Sequence, residues 1–220
     1  MEISINVPMD IILGVNTVEG VRIRLESDCV DKLIEDLLNR LKGICIENLK
    51  VHPVVRVYRD FYWRIGIDPT KQRPSGEALV RRALKGKIPR INNVVDAGNL
   101  ASIETLVPIG LYDLNKIEGN LTLRFAHDGE LFKPIGGEEE RLTENQIVLA
   151  DEKKILHVFP YRDSRITMVR EDTRNVLIVA CGVPGIDKKI VSEACSKATK
   201  YILKLAGGKA EECVLVHKGL

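Results

Sequence analysis

INNVVDAGNLASIETLVPIGLYD, residues 91–113, is the stretch on which the reading of the chain turns. It opens as a helix whose polar members Asn92, Asp96 and Asn99, four and three positions apart, share one narrow face among Val94, Val95, Leu100 and Ile103. Amides and a carboxylate on one stripe of an apolar helix suit a face that meets a ligand. Gly98 stands beside Asn99 in mid-helix, where glycine costs about 1 kcal/mol against alanine. A backbone or ligand approaching that face would account for the glycine. Pro108 cuts the helix, Gly110 follows, and Asp113 ends the run. The expectation is one wall of a pocket, with the loop after the helix as its rim.

On the N-terminal side, the proline-containing loop IDPTKQRPS (67–75) leads into a short helix entered at Ser75 and carrying Leu79, Val80, Ala83 and Leu84. Arg81, Arg82, Lys85, Lys87 and Arg90 then supply five cations in ten residues with no acid among them. A solvated helix face and a phosphate-contacting rim both fit this run. Arg73 and Ser75 lie just ahead of it, as phosphate contacts or, for Ser75, as a helix cap. Further upstream, residues 2–25 read as two strands, with Glu19-Gly20 a turn before the alternating VRIRL. Ser27 or Asp28 caps a helix ended by Gly43, and a second helix follows Pro53 as far as Gly66.

On the C-terminal side, residues 119–159 have the texture of short strands, with Asp128-Gly129 a tight turn. A polar loop, PYRDSRITMVREDT, leads to the buried strand NVLIVAC. An amphipathic helix over residues 187–206 stops at Gly207-Gly208, before a last strand CVLVHK. Strands and helices mix without strict βαβ alternation, so residues 1–220 read as one α/β domain. In it residues 1–70 complete the core, 73–181 form its centre, and 186–220 add a closing helix and strand.

Composition narrows the class. A net charge of +2 excludes a polybasic tail protein while leaving room for a local basic patch. The five cysteines are odd in number and contain no CxxC, which fits reduced thiols rather than a disulfide framework. MEISINVPMD has neither a basic leader nor a long apolar run, and VLIVAC (176–181) falls far short of the ~20 residues that a membrane span needs. The expectation is a cytoplasmic protein with no membrane partner. His127 and His157 have no Asp, Cys or second His at metal-ligand spacing and read as satisfied or exposed; Cys181 reads as packing. No metal and no organic cofactor is expected. GxGxxG, P-loop and GxSxG patterns do not occur, so dinucleotide binding, NTP hydrolysis and a serine-hydrolase elbow drop out.

Four segments in order, IPRINNVVDAGN, PIGLYDLNKIEGNLTLRFAHDGE, NQIVLADEKKIL and REDTRNVLIV, resemble the tRNA-editing domain of the phenylalanyl-tRNA synthetase β subunit. The likeness covers roughly residues 73–181, and is greater to freestanding relatives of that domain that carry no synthetase. It implies layered β-sheets flanked by helices, a three-layer sandwich that is mixed rather than doubly wound. It also implies hydrolysis of an amino acid attached to the wrong tRNA. Asn99 falls on an asparagine of the family's editing pocket, Asn93 and Asp96 lie in the same motif, and Pro108 matches a pocket-lining proline. Synthetase modules commonly have Thr where Gly98 stands and His where Gly110 stands. Their glycine-rich, acidic specificity segment is replaced here by FPYRDSR, with Arg162, Asp163 and Ser164 near the acidic position. The amino acid removed therefore stays open.

Chemically, an aminoacyl ester is already reactive, so its hydrolysis needs a placed water and a stabilised oxyanion more than a strong nucleophile. Asn99 and backbone amides freed by Gly98 or Gly110 would hold the carbonyl or the water. Asp163 would take the substrate α-amino group and Arg162 the terminal nucleotide, unless the two merely pair with each other. Asp96 either touches substrate, as Asn92 and Asn93 would, or fixes the neighbouring loop. Selection would work as a size and polarity sieve. The partner is then the acceptor end of an aminoacyl-tRNA, met by Arg73, Ser75, Arg81, Arg82, Lys85, Lys87 and Arg90. A tRNA- or RNA-binding module that lost catalysis is the competing reading, and a small-molecule hydrolase or binding protein a third.

Overall fold

In a computed structural model, which describes residues 1–218, the chain builds two five-stranded sheets, a short ribbon and five α-helices. The elements run β1 (Ile3–Ile5), β2 (Ile12–Glu19), α1 (Asp28–Leu41), α2 (Pro53–Arg64), α3 (Ser75–Ala83), α4 (Asn93–Thr105) and β3 (Ile109–Asp113). There follow β4 (Leu121–Phe125), β5 (Leu131–Phe132), β6 (Glu140–Arg141), β7 (Ile147–Ala150), β8 (Ile155–Val158) and β9 (Arg162–Asp163). Last come β10 (Asn175–Gly182), α5 (Lys188–Ala206), β11 (Lys209–Ala210) and β12 (Val214–His217). The first sheet has the order β1-β4-β7-β8-β9, and only its β1–β4 pair is parallel. The second has the order β11-β2-β10-β3, with β12 also on β2. Its centre is the antiparallel pair β2–β10, in register at Val15 and Val179.

Alternation along β7 shows how the layers stack. Ile147 and Leu149 enter the main core between the sheets, whereas Val148 and Ala150 join a smaller apolar cluster with Phe132 and Leu142 of the β5–β6 region. The other face of the second sheet carries α5. Gly14 of β2 lets that helix in, since a Cβ there would meet the Val191 carbonyl at 3.0 Å. Helix α4 lies against α5 and β3, and ten of its thirteen residues are buried. Such a helix is held by packing all round rather than by one apolar stripe.

Specific local devices fix the helix termini. Asn92 caps α4 by accepting from the amides of Val94 at 3.1 Å and Val95 at 2.9 Å, and Asp187 caps α5 through Lys189. Leu106 ends α4 with φ of 61°, in the left-handed region. Gly76 allows α3 to press against that turn, because a Cβ at position 76 would lie 2.3 Å from the Leu106 carbonyl oxygen. Ser75 opens α3 without a capping side-chain bond; Pro74 takes the cap position.

Two expectations need correction. VRIRL forms no strand, because its backbone groups are used by the start of α4. The Arg24 amide donates to Asn93 Oδ1, and Asn93 donates from its own amide to the Arg24 carbonyl and from Nδ2 to that of Arg22, each at 2.9 Å. The segment after Pro108 is not a loop either. It is β3, paired along its length with β10.

Candidate functional site

A cleft of about 400 Å3 opens between α3 with its entry loop, α4, the start of β3 and the β8–β9 hairpin. That is within the size range of small-ligand sites. Asn99 and Ser102 supply its α4 wall, Pro108 and Gly110 its edge, and Pro160 and Tyr161 the hairpin side. The Ser102 hydroxyl is already given to the Val107 carbonyl at 2.7 Å. Asn99, in contrast, is half-buried, and its carboxamide forms no hydrogen bond with another described residue. A free amide donor and acceptor on a rigid helix is thus offered to whatever enters.

At the hairpin side three polar groups come together. The Tyr112 hydroxyl donates to Asp163 Oδ1 at 2.7 Å, and His157 Nδ1 meets the same oxygen at 2.8 Å. His157 and Asp163 are paired directly across β8 and β9, which fixes their approach. Burial first, and the neighbouring Asp163 charge second, push the Tyr112 phenol well above its ordinary pKa, so it remains a donor. Burial likewise keeps Cys181 a thiol, with its Sγ 3.8 Å from His157 Nε2. Since a carboxylate oxygen can only accept, Nδ1 carries the shared proton.

The mouth is cationic. Arg73 and Arg82 line both the cleft and an adjoining surface that adds Lys71, Arg81 and Lys85. Arg81 is committed elsewhere. It joins Arg59 on the fully buried Glu77 carboxylate, at 2.8 and 2.9 Å, with Arg73 at 4.0 Å. Lys71, Arg82 and Lys85 form no ion pair among the described residues.

Of the residues singled out from sequence, the cleft gathers Asn99, Pro108, Gly110, Asp163, Arg73, Ser75 and Arg82. Others lie outside it. Asn92 is a cap, and Asn93 also donates to the Leu205 carbonyl at 2.9 Å, stapling α4 to the end of α5. Asp96 fixes the loop before α4 by accepting from Arg90 Nε and the Ile91 amide, both at 2.9 Å. Arg90 also pairs with Asp31, and so is a structural cation. What approaches Gly98 is the chain itself, for a Cβ there would lie 2.7 Å from Leu111 Cδ1. Arg162 does not pair with Asp163. Its guanidinium bonds Glu140 and lies over the rings of Phe132 and Tyr161. Ser164 is fully buried, and Lys87 is an exposed residue away from the cleft.

The sequence reading missed Tyr112, His157 and Tyr161. The only local signal for His157 was a short turn, FPY, between two extended segments, a hairpin that would face position 157 with 163. Among the described residues no group of three or more His, Cys, Asp or Glu side chains is arranged to hold a metal ion, and no helix is long and apolar enough to cross a membrane.

Comparison with known proteins gives concordant results. The family model of the B3/4 domain matches residues 57–207. The phenylalanine–tRNA ligase β subunit of Aquifex aeolicus is 28% identical over 173 residues, covering 68% of this chain and 22% of the relative. That of Fusobacterium nucleatum is 24% identical over 215 residues, covering 87% and 24%. The chain thus spans only about a fifth to a quarter of such relatives. An N-terminal fragment of the phenylalanyl-tRNA synthetase β subunit from Pyrococcus horikoshii shares the fold, with a TM-score of 0.51 and 18% identity over 95% of this chain and 50% of that one. The layered α/β arrangement expected from the sequence is therefore that of the synthetase fragment.

Proposed function

The chain belongs to the B3/4 domain family, and from that premise we propose that it is a deacylase acting in trans on mischarged aminoacyl-tRNA. The observation that carries the reading is Asn99, whose carboxamide is unbonded to any other described residue and which lines a cleft whose mouth holds Arg73 and Arg82. In this reading the terminal ribose and its ester enter over α3, with the phosphates behind them on Lys71, Arg82 and Lys85. Asn99 holds the attacking water or the scissile carbonyl. Water adds to the carbonyl carbon, the ester C–O bond breaks, and the proton goes to the departing ribose hydroxyl. The neighbouring ribose hydroxyl assists, so no protein nucleophile is needed. Pro108, Pro160 and Tyr161 bound the space left to the amino acid and act as the sieve.

A tRNA-binding module without catalysis is the second reading. Gly110, which stands where synthetase modules commonly have His, favours it. A panel of mischarged tRNAs separates the two. Deacylation above the uncatalysed rate, lost in Asn99→Ala, is the expected result. Binding of tRNA with no deacylation of any member overturns the enzyme reading.

A further inference from the structure

Asp163 is the one carboxylate among the described residues that line the cleft, which it shares with the guanidinium groups of Arg73 and Arg82. Its partners are unusual. Arg162, its neighbour in sequence, is turned away to Glu140, and no Lys or Arg among the described residues forms an ion pair with Asp163. Two donors, the Tyr112 hydroxyl and His157 Nδ1, both bond Oδ1. Oδ2 receives no hydrogen bond from a described residue, and the side chain remains one-third exposed, at 33%. A carboxylate fixed through one oxygen and open at the other is a receptor for a compact cation with several donors, such as a primary ammonium.

We propose that Asp163 Oδ2 is an ammonium subsite, so that the cleft accepts esters of α-amino acids bearing a free amino group and rejects their N-acylated counterparts. Tyr112 and His157 are positioning residues for that subsite; neither touches the ester. The inference rests on the deacylase reading for its substrate, but the ammonium preference is measurable without turnover. The polarity of the cleft supports it: the anionic point lies on the hairpin side and the guanidinium groups at the mouth. An aminoacyl-tRNA end likewise carries a cationic ammonium at one end and anionic phosphates at the other.

The test compares one mischarged tRNA with the same tRNA after N-acetylation. Each deacylation rate is divided by the uncatalysed rate of the same ester, because acetylation alters its intrinsic reactivity. The expected preference for the free amine is roughly 10- to 100-fold in kcat/KM, the scale of one hydrogen-bonded charge contact. Asp163→Asn, which keeps the shape, should abolish the preference. Tyr112→Phe and His157→Leu should lower it, mainly through KM, while His157→Asn, which retains a donor near the Nδ1 position, should restore much of it. Equal normalised rates for the two esters with the native protein, or an undiminished preference in Asp163→Asn, overturn the subsite. The same pair joined to tRNA by an amide in place of the ester is then measured by equilibrium binding. A retained preference with no hydrolysis of the esters overturns the deacylase reading alone, and hydrolysis with no preference overturns the subsite alone.

Discussion

The hydroxyl of Tyr112, bonded to Asp163 Oδ1 at 2.7 Å, fills the space that a side chain at position 110 would need. A Cβ on Gly110 would lie 2.1 Å from that hydroxyl oxygen and 2.6 Å from Cζ. The glycine and the tyrosine are therefore one feature, and position 110 has no room for an imidazole. His157 supplies one, from β8.

Gly110→Ala should displace Tyr112 and cost about 1–3 kcal/mol of stability, the usual range for overpacking. Adding Tyr112→Phe should not restore it, since the ring carbon is also too close. Urea midpoints of the native protein and of the two variants check this.

Asn99 and Asn93, six positions apart on one helix, should respond in opposite ways. Asn99→Ala removes no side-chain bond to another described residue and should leave the melting temperature near native. On the deacylase reading its rate falls roughly 100- to 1,000-fold, as for loss of one oxyanion donor. Asn93→Ala breaks three 2.9 Å side-chain bonds to the backbone at positions 22, 24 and 205, and should cost at least about 2 kcal/mol. Parallel melting curves and deacylation assays separate the two.

Replacing Arg82 and Lys85 by Gln should weaken tRNA binding and lower the slope of log K against log salt by roughly 1 per cation. Arg81→Gln should act differently. It removes a 2.8 Å partner from buried Glu77 and should lower stability by about 1–3 kcal/mol. Filter binding across a salt series, beside thermal melts, distinguishes a phosphate contact from a structural cation.

Acid should loosen the junction of α1, α4 and α5. Burial alone would raise the Glu104 carboxyl, but hydrogen bonds from Lys197, Tyr201 and Arg40 outweigh it and hold the pKa below the ordinary 4.5. A depressed carboxyl pKa stabilises the fold fully above the unfolded value and ceases to do so as pH falls through the folded one. Glu104→Gln should therefore flatten the loss of stability below about pH 4.5 and leave its pH dependence above that value unchanged. Denaturant titrations from pH 3 to pH 7 read the difference.

Much of the chain could be read from its local chemistry. The breaks at Gly43 and Pro108, the start of α5 at residue 187 and the apolar run 175–181 each depend on a few neighbouring residues, so these elements are legible without knowledge of what packs on them. Asn99, Pro108 and the Arg73–Arg82 region are close in sequence as well, and the cleft gathers them. The expected stripe of Asn92, Asp96 and Asn99 divides in the structure: Asn92 is the cap outside the helix, and only Asn99 lines the cleft. A polar side chain on a helix bonds whatever the tertiary structure brings to it. The loop before the helix came to Asp96, while no other described residue bonds the Asn99 carboxamide.

What packing alone decided is the meeting of β3 with the β8–β9 hairpin. Tyr112 and Asp163 are separated by 51 positions, and no periodicity in either segment encodes their bond. Strand pairing chooses which face of β3 looks inward, sending Leu111 to α4 and Tyr112 to the hairpin. It is that choice which leaves Asp163 held at one oxygen and open at the other. Short-range rules determine the elements of this protein, and the register between distant strands determines its chemistry.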